Sequence, residues 1–148
     1  MPTTDRTVIE DHVEIKADAQ RVWQLVSEPG WWINEGEYRE HSITEREGLV
    51  LVTDERWGTF PLSVEHSDPP RYIAYRWYES TESPRPDAPS TLTEFWIEDH
   101  ESGGVTLRVR ESGFETLGKD AEALRSHIAD NTAGWAEELR VAARHCAS

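Results

Sequence analysis

The sequence predicts an α+β domain in which one antiparallel sheet curls around a long C-terminal helix. Two periodicities and their order carry this expectation. From about Tyr38 to Phe114 apolar residues mostly alternate, in about six strand-length runs punctuated by Gly, Pro and Asp. After Gly118 the period changes: Leu124, Ile128, Asn131, Trp135, Leu139 and Ala142 step by four, three, four, four and three, which marks one face of a long helix. A strand and short helices precede the strand run, and for that order the stable packing is a single sheet with its helices on one face.

Each element has a local reason. Ile9, Val13 and Ile15 fall at even spacing with Asp11 among them, which reads as a strand. Asp18 suits a helix N-cap, and Ala19, Val22, Trp23 and Val26 follow on one face of a short helix. Pro29 and Gly30 stop it, and a strand from about Tyr38 picks up the chain. LVLVTDERW and TFPLSVEH alternate around a turn at Trp57-Gly58, and Pro61 points to an edge strand or a bulge. Asp68-Pro69-Pro70-Arg71 turns the chain into YIAYRWYE, where Ile73, Tyr75 and Trp77 are expected to face inward, leaving Arg76 outside or at the rim. SPRPDAP, 83–89, reads as a surface loop. LTEFWIE and VTLRVRE are joined across ESGG, whose Gly103-Gly104 supplies the positive φ of a tight hairpin.

Composition narrows the function classes. A chain of 148 residues is expected to form one domain, 1–148, burying roughly 70% of its unfolded surface. No apolar run approaches the ~20 residues of a membrane helix, and MPTTDRTV lacks a signal-peptide pattern, so a cytoplasmic location without membrane insertion is expected. The one cysteine, Cys146, allows neither a disulfide framework nor a thiolate metal site. A formal net charge of −14 repels phosphate backbones and argues against nucleic acid, while it suits solubility, a basic partner protein or a cationic ligand. The six histidines show no HxH or HExxH spacing, and GxSxG, P-loop and GxGxxG motifs are lacking, so no metal and no cofactor are expected.

Two polar residues interrupt apolar stripes. Val105, Leu107, Val109 and Glu111 share one strand face, so Glu111 ends an inward row. Such a carboxylate is either solvated at the strand end, paired with an arginine, or a polar anchor or acid/base at a cavity wall. Asn131 lies on the helix stripe between Ile128 and Trp135 and needs a backbone group, a water or a ligand as partner. Gly134 beside the stripe reads as room for a strand or a bound molecule. Phe60, Tyr75, Trp77, Phe95 and Trp135 on apolar faces form either an ordinary aromatic core or a pocket wall.

ADAQRVWQLVSEPGWW, GTFPLSVEHSDPPRYIAYRW, LTEFWIE, VTLRVRESGF and NTAGWAEELRVAA resemble the family of activators of heat-shock-protein ATPase homologues, in the START-like (SRPBCC), birch-pollen-allergen-like superfamily. The resemblance runs from about Ile9 to Ala143. It implies a helix-grip fold: a curved seven-stranded antiparallel sheet around the C-terminal helix, two short helices, and a cavity between sheet and helix. It implies no reaction. In that fold the short helices close one end of the grip, so Trp32 is expected to plug the core and Trp31 to lie across the cavity entrance; alternatively both form a half-buried lid.

The expectation is a small apolar or aromatic ligand held by Trp31, Trp32, Phe60, Tyr75, Trp77, Phe95, Glu111, Asn131 and Trp135, without catalysis. The alternatives are a co-chaperone-like module that docks on a protein partner, and an enzyme acting on an aromatic or polyketide-like substrate with Glu111 as acid/base. A grip filled by its own side chains favours docking; an open cavity favours a ligand.

Overall fold

The computed structural model describes residues 7–34, 37–46, 48–78, 88–101 and 103–147. Its strands are β1 (Ile9–Ile15), β2 (Ser42–Arg46), β3 (Leu49–Asp54), β4 (Gly58–Asp68), β5 (Tyr72–Tyr78), β6 (Ser90–Asp99) and β7 (Val105–Ser112). Its helices are α1 (Ala19–Val26) and α2 (Ala121–Ala147), with a 3-10 turn at Phe114–Leu117. All seven strands pair antiparallel in one sheet, ordered β1-β7-β6-β5-β4-β3-β2. The sheet is curved, and α2 packs against β1, α1 and the 3-10 turn. The order of periodicities predicts this sheet and its long C-terminal helix, and the seven-stranded helix-grip architecture is the one that the resemblance implies.

Local chemistry sets the helix ends. The Asp18 side chain accepts from the Arg21 amide at 2.8 Å, satisfying an orphan donor at the start of α1. Asp120 does the same for α2, accepting from the Ala123 amide at 2.8 Å. Val22, Leu25 and Val26 of α1 are buried, as are Trp135, Leu139 and Ala142 of α2. Leu124 and Ile128 on the same stripe are half-buried, because the N-terminal half of α2 extends past the densest part of the core.

Several expectations shift. No strand starts at Tyr38; β2 begins at Ser42, because Tyr38 is drawn to other partners. Its hydroxyl donates to Glu28 at 2.7 Å and its ring stacks on His145, 4.0 Å between centroids. Of the short helical segments, α1 is an α-helix, while residues 27–32 are a run of turns. Pro61 is not on an edge: β4 lies between β3 and β5. Its missing N–H is tolerated because the β4–β5 register begins only at Leu62↔Trp77, and the bulge sits further along, between Val64 and His66. The turn before β7 forms, with Gly103 at φ 98°, whereas Gly104 serves as a close-approach residue: a Cβ there would lie 2.5 Å from the Ile15 carbonyl oxygen. Most of SPRPDAP, 83–87, lies outside the described residues.

The β3–β4 turn and the entry to β2 are tied together by Asp54, which is buried and accepts from Arg39 at 2.8 Å, from His41 at 3.1 Å and from the Arg56 and Trp57 amides at 2.9 Å each. Burial opposes ionisation of its carboxyl, yet those amides, Arg39 and His41 hold it below the usual carboxylate range.

Candidate functional site

The segment PGWW folds as consecutive turns, and this explains adjacent tryptophans. Gly30 adopts φ 74°, and the Trp31 and Ile33 amides donate back to the Glu28 and Gly30 carbonyls at 3.2 and 2.9 Å. Successive side chains in such turns need not alternate between faces, so Trp31, Trp32 and Ile33 all enter the core, at 1, 5 and 7% exposure. The two indoles meet edge-on at 90°, 6.1 Å apart. Trp31 is therefore not at an entrance. Its ring packs on Phe95 and Trp135 at 5.4 and 6.5 Å, while Trp32 touches Tyr75, Trp77, Phe95 and Trp135 within 5.7 Å. A half-buried lid is likewise excluded by these exposures. Asn34 locks the turn, donating to the Trp31 carbonyl and, at 3.0 Å, to Glu138 of α2.

The inward row of β5 is Ile73, Tyr75 and Trp77, as the alternation predicts, and Arg76 sits on the other face beside Ser90 and Glu65, at 3.1 and 3.4 Å. Tyr75 is fully buried, and its hydroxyl donates to the Val26 carbonyl at 2.6 Å, which ties the sheet to α1. Burial and the nearby Glu28 push its phenol well above its ordinary value.

Beside this aromatic cluster is a cavity of about 260 Å³, lined by Phe60 and Trp77, Tyr78 and Thr91, Glu111, Leu117, His127 and Asn131. Glu111 is its distinctive group. It is 1% exposed, neither solvated nor paired with an arginine. Thr91 donates to Oε2 at 2.7 Å; Asn131 and the Trp135 indole donate to Oε1 at 3.1 and 2.9 Å. Two elements bring these donors together. β6 pairs with β7 beside Glu111, and Asn131 and Trp135, four residues apart, project from one side of α2. Both polar interruptions of apolar stripes thus answer each other: the partner of Asn131 is Glu111.

Of the nine residues the sequence singles out, Phe60, Trp77, Glu111 and Asn131 line the cavity. Trp31, Trp32, Tyr75, Phe95 and Trp135 pack behind that wall as a mutually contacting cluster. No neighbouring strand claims the room at Gly134: among the described residues nothing lies within 4 Å of where its Cβ would be. Sequence reading missed Tyr78, Thr91, Leu117 and His127. Two had a signal. Thr91 starts the inward row Thr91, Thr93, Phe95, Ile97 of β6, and His127 is one helical step before Asn131.

A larger depression of about 530 Å³ lies on the outer face of the sheet, around Glu10, His12, Trp96, Glu98, Arg108 and Arg110. Its charges are already engaged in exposed cross-strand pairs, Arg108 with Glu98 and Arg110 with Glu94 and Glu10. The smaller inner cavity, with a buried carboxylate and apolar walls, has the build of a ligand site. Among the described residues no group of three or more His, Cys, Asp or Glu side chains converges to hold a metal, and no helix is long and apolar enough to cross a membrane.

A curved antiparallel sheet gripping a C-terminal helix over a small cavity defines the class: a helix-grip fold. Solved structures share it. Protein MLL2253 from Mesorhizobium loti superposes with a TM-score of 0.67 at 15% identity, covering 93% of this chain and 94% of that one. The Aha1 dimer from Colwellia psychrerythraea gives 0.65 at 16% identity, covering 95 and 96%. DynU16, a protein in the dynemicin biosynthetic locus, gives 0.67 at 20% identity over 94% of this chain, which spans 46% of that protein's length. At these identities the likeness is one of fold. No protein-family model matches the sequence, and no curated protein matches it.

Proposed function

We propose that the protein binds a small, largely apolar or aromatic molecule in the cavity between the sheet and α2. Phe60 and Trp77 form the apolar walls, and Glu111 and Asn131 orient the bound molecule. Trp31, Trp32, Tyr75, Phe95 and Trp135 set the depth of the cavity from behind. The observation that carries this reading is Glu111, a carboxylate at 1% exposure held in the cavity wall by three side-chain donors. Burying a charge is costly, and an apolar residue there would complete the core more cheaply. At about 260 Å³ the cavity is just under the usual range of roughly 300–1,000 Å³, so it suits a small ligand. The same architecture is the basis for proposing kinship with the heat-shock-ATPase activator homologues.

A neutral fluorescent apolar dye tests this. Saturable binding of about one dye per chain, with quenching of tryptophan emission, is expected, and Trp77→Ala should weaken it. Failure of the folded protein to bind the dye saturably removes the ligand reading and favours docking on a protein partner.

A further inference from the structure

Glu111 narrows the class of ligand that the cavity would take, a narrowing that deepens the cavity reading and rests on it. A carboxylate offers about four acceptor positions, two on each oxygen. Oε1 already accepts from Asn131 and Trp135, and among the described residues Oε2 accepts from Thr91 alone. One position on Oε2 therefore remains open. All three donors are neutral side chains, and among the described residues no Lys or Arg pairs with Glu111. The group is a buried carboxylate with its hydrogen bonds partly satisfied; His127 lines the same cavity, but among the described residues it makes no ion pair or hydrogen bond with Glu111. Phe60 and Trp77 line the same cavity as the carboxylate. An aromatic wall beside a carboxylate attracts a cation twice, through the ring quadrupoles and through the charge. The net charge of −14 adds long-range attraction of the same sign.

We infer that the cavity selects a protonated amine carrying a compact apolar or aromatic substituent. The ammonium N–H fills the open position on Glu111 Oε2, and the substituent lies against Phe60 and Trp77. An N–H donor is required, so an amine fits better than a quaternary ammonium. The volume, worth about nine waters of liquid, limits the ligand to on the order of ten non-hydrogen atoms. Asn131 remains a positioning residue, since its amide N–H holds Oε1 and leaves Oε2 to the ligand.

The test is a charge series at fixed shape, read by calorimetry at pH 7 on the full chain: 2-phenylethylamine, 2-phenylethanol and 3-phenylpropionate, with the neutral dye as a control for the cavity. The amine is expected to bind about tenfold or more tighter than the alcohol, with the anion weakest. Glu111→Gln should erase the preference for the amine while dye binding persists. Should that variant fail to fold, the ranking of the three probes on the wild-type protein decides alone. Dye binding with the alcohol equal to or tighter than the amine overturns the amine inference and leaves the cavity reading standing. Absence of both dye and probe binding overturns both. Tighter binding of benzyltrimethylammonium than of the amine would overturn the role given to Oε2.

Discussion

Two tryptophans that pack on each other should respond to very different degrees to the same substitution. Trp31 and Trp135 are both buried, at 1 and 3% exposure, and their rings pack 6.5 Å apart. They differ in one atom's surroundings. The Trp135 indole N–H donates to Glu111 at 2.9 Å, while the Trp31 Nε1 is buried without a partner among the described residues. Trp→Phe at either position loses part of a ring, at about 1–2 kcal/mol on the scale of core truncations. At Trp31 the change also removes an unpaired buried donor, which returns about 1–3 kcal/mol. The two effects nearly cancel, so Trp31→Phe should lie within about 1 kcal/mol of wild type. At Trp135 the change adds to the packing loss a hydrogen bond to a charged group, worth about 1.5–3 kcal/mol. A total of roughly 3–5 kcal/mol is expected there. Urea unfolding followed by circular dichroism measures both, with unchanged m values as the condition for reading midpoints as stability. Equal losses at the two positions, or a larger loss at Trp31, would refute the reasoning that hydrogen-bond satisfaction distinguishes them.

Other outcomes hinge on single residues. Gly134→Ala should stabilise the protein by about 0.5–1 kcal/mol, since the Cβ meets nothing within 4 Å and alanine favours the helix; a thermal melt shows it as a higher Tm. Gly30→Ala should cost about 2–4 kcal/mol in a urea melt, because φ is 74° and the new Cβ would lie 2.7 Å from Val52 Cγ1. Glu138 gives a pH dependence. Burial, reinforced by Glu137, raises its carboxyl from 4.5 to about 7, against the opposing Asn34 hydrogen bond and Arg39 and Arg144. A raised folded-state value means that its contribution is full below about pH 4.5 and is lost as pH rises towards 7. The complete shift corresponds to roughly 3 kcal/mol, which partial solvent screening reduces to about 1–2 kcal/mol. Glu138→Gln should therefore stabilise at pH 8 and change little at pH 4; a variant equally stable to wild type at pH 8 contradicts this.

The fold was legible in the sequence because two periodicities are strong in it. The switch from alternation to the Leu124–Ala142 stripe fixed the order of sheet and helix, and even the N-cap Asp18 was readable from local chemistry alone. Long-range pairing was not. Nothing local says that β4, with Pro61, lies inside the sheet, because strand order depends on contacts distant in sequence. The site was half legible for the same reason. Glu111 and Asn131 each stood out as a polar interruption, but only the docking of α2 shows that they bond to each other. The placing of Trp31 at an entrance failed, while Trp32 does lie in the core, because burial in turns follows no period. Gly30 at positive φ lets both indoles turn inward, where the more buried is Trp31.

The most direct measurement of the central claim is the response of the seven tryptophan indole N–H signals to ligand, in a ¹H–¹⁵N spectrum of the full chain. With 2-phenylethylamine, or with the neutral dye should the amine fail to bind, the signals of Trp77 at the cavity wall and of Trp135 on Glu111 should shift saturably. Those of Trp57, exposed in the β3–β4 turn, and Trp96, on the outer face of the sheet, should stay in place. Shifts confined to Trp57 and Trp96, with Trp77 and Trp135 unmoved at saturation, would place the ligand outside the grip and contradict the account.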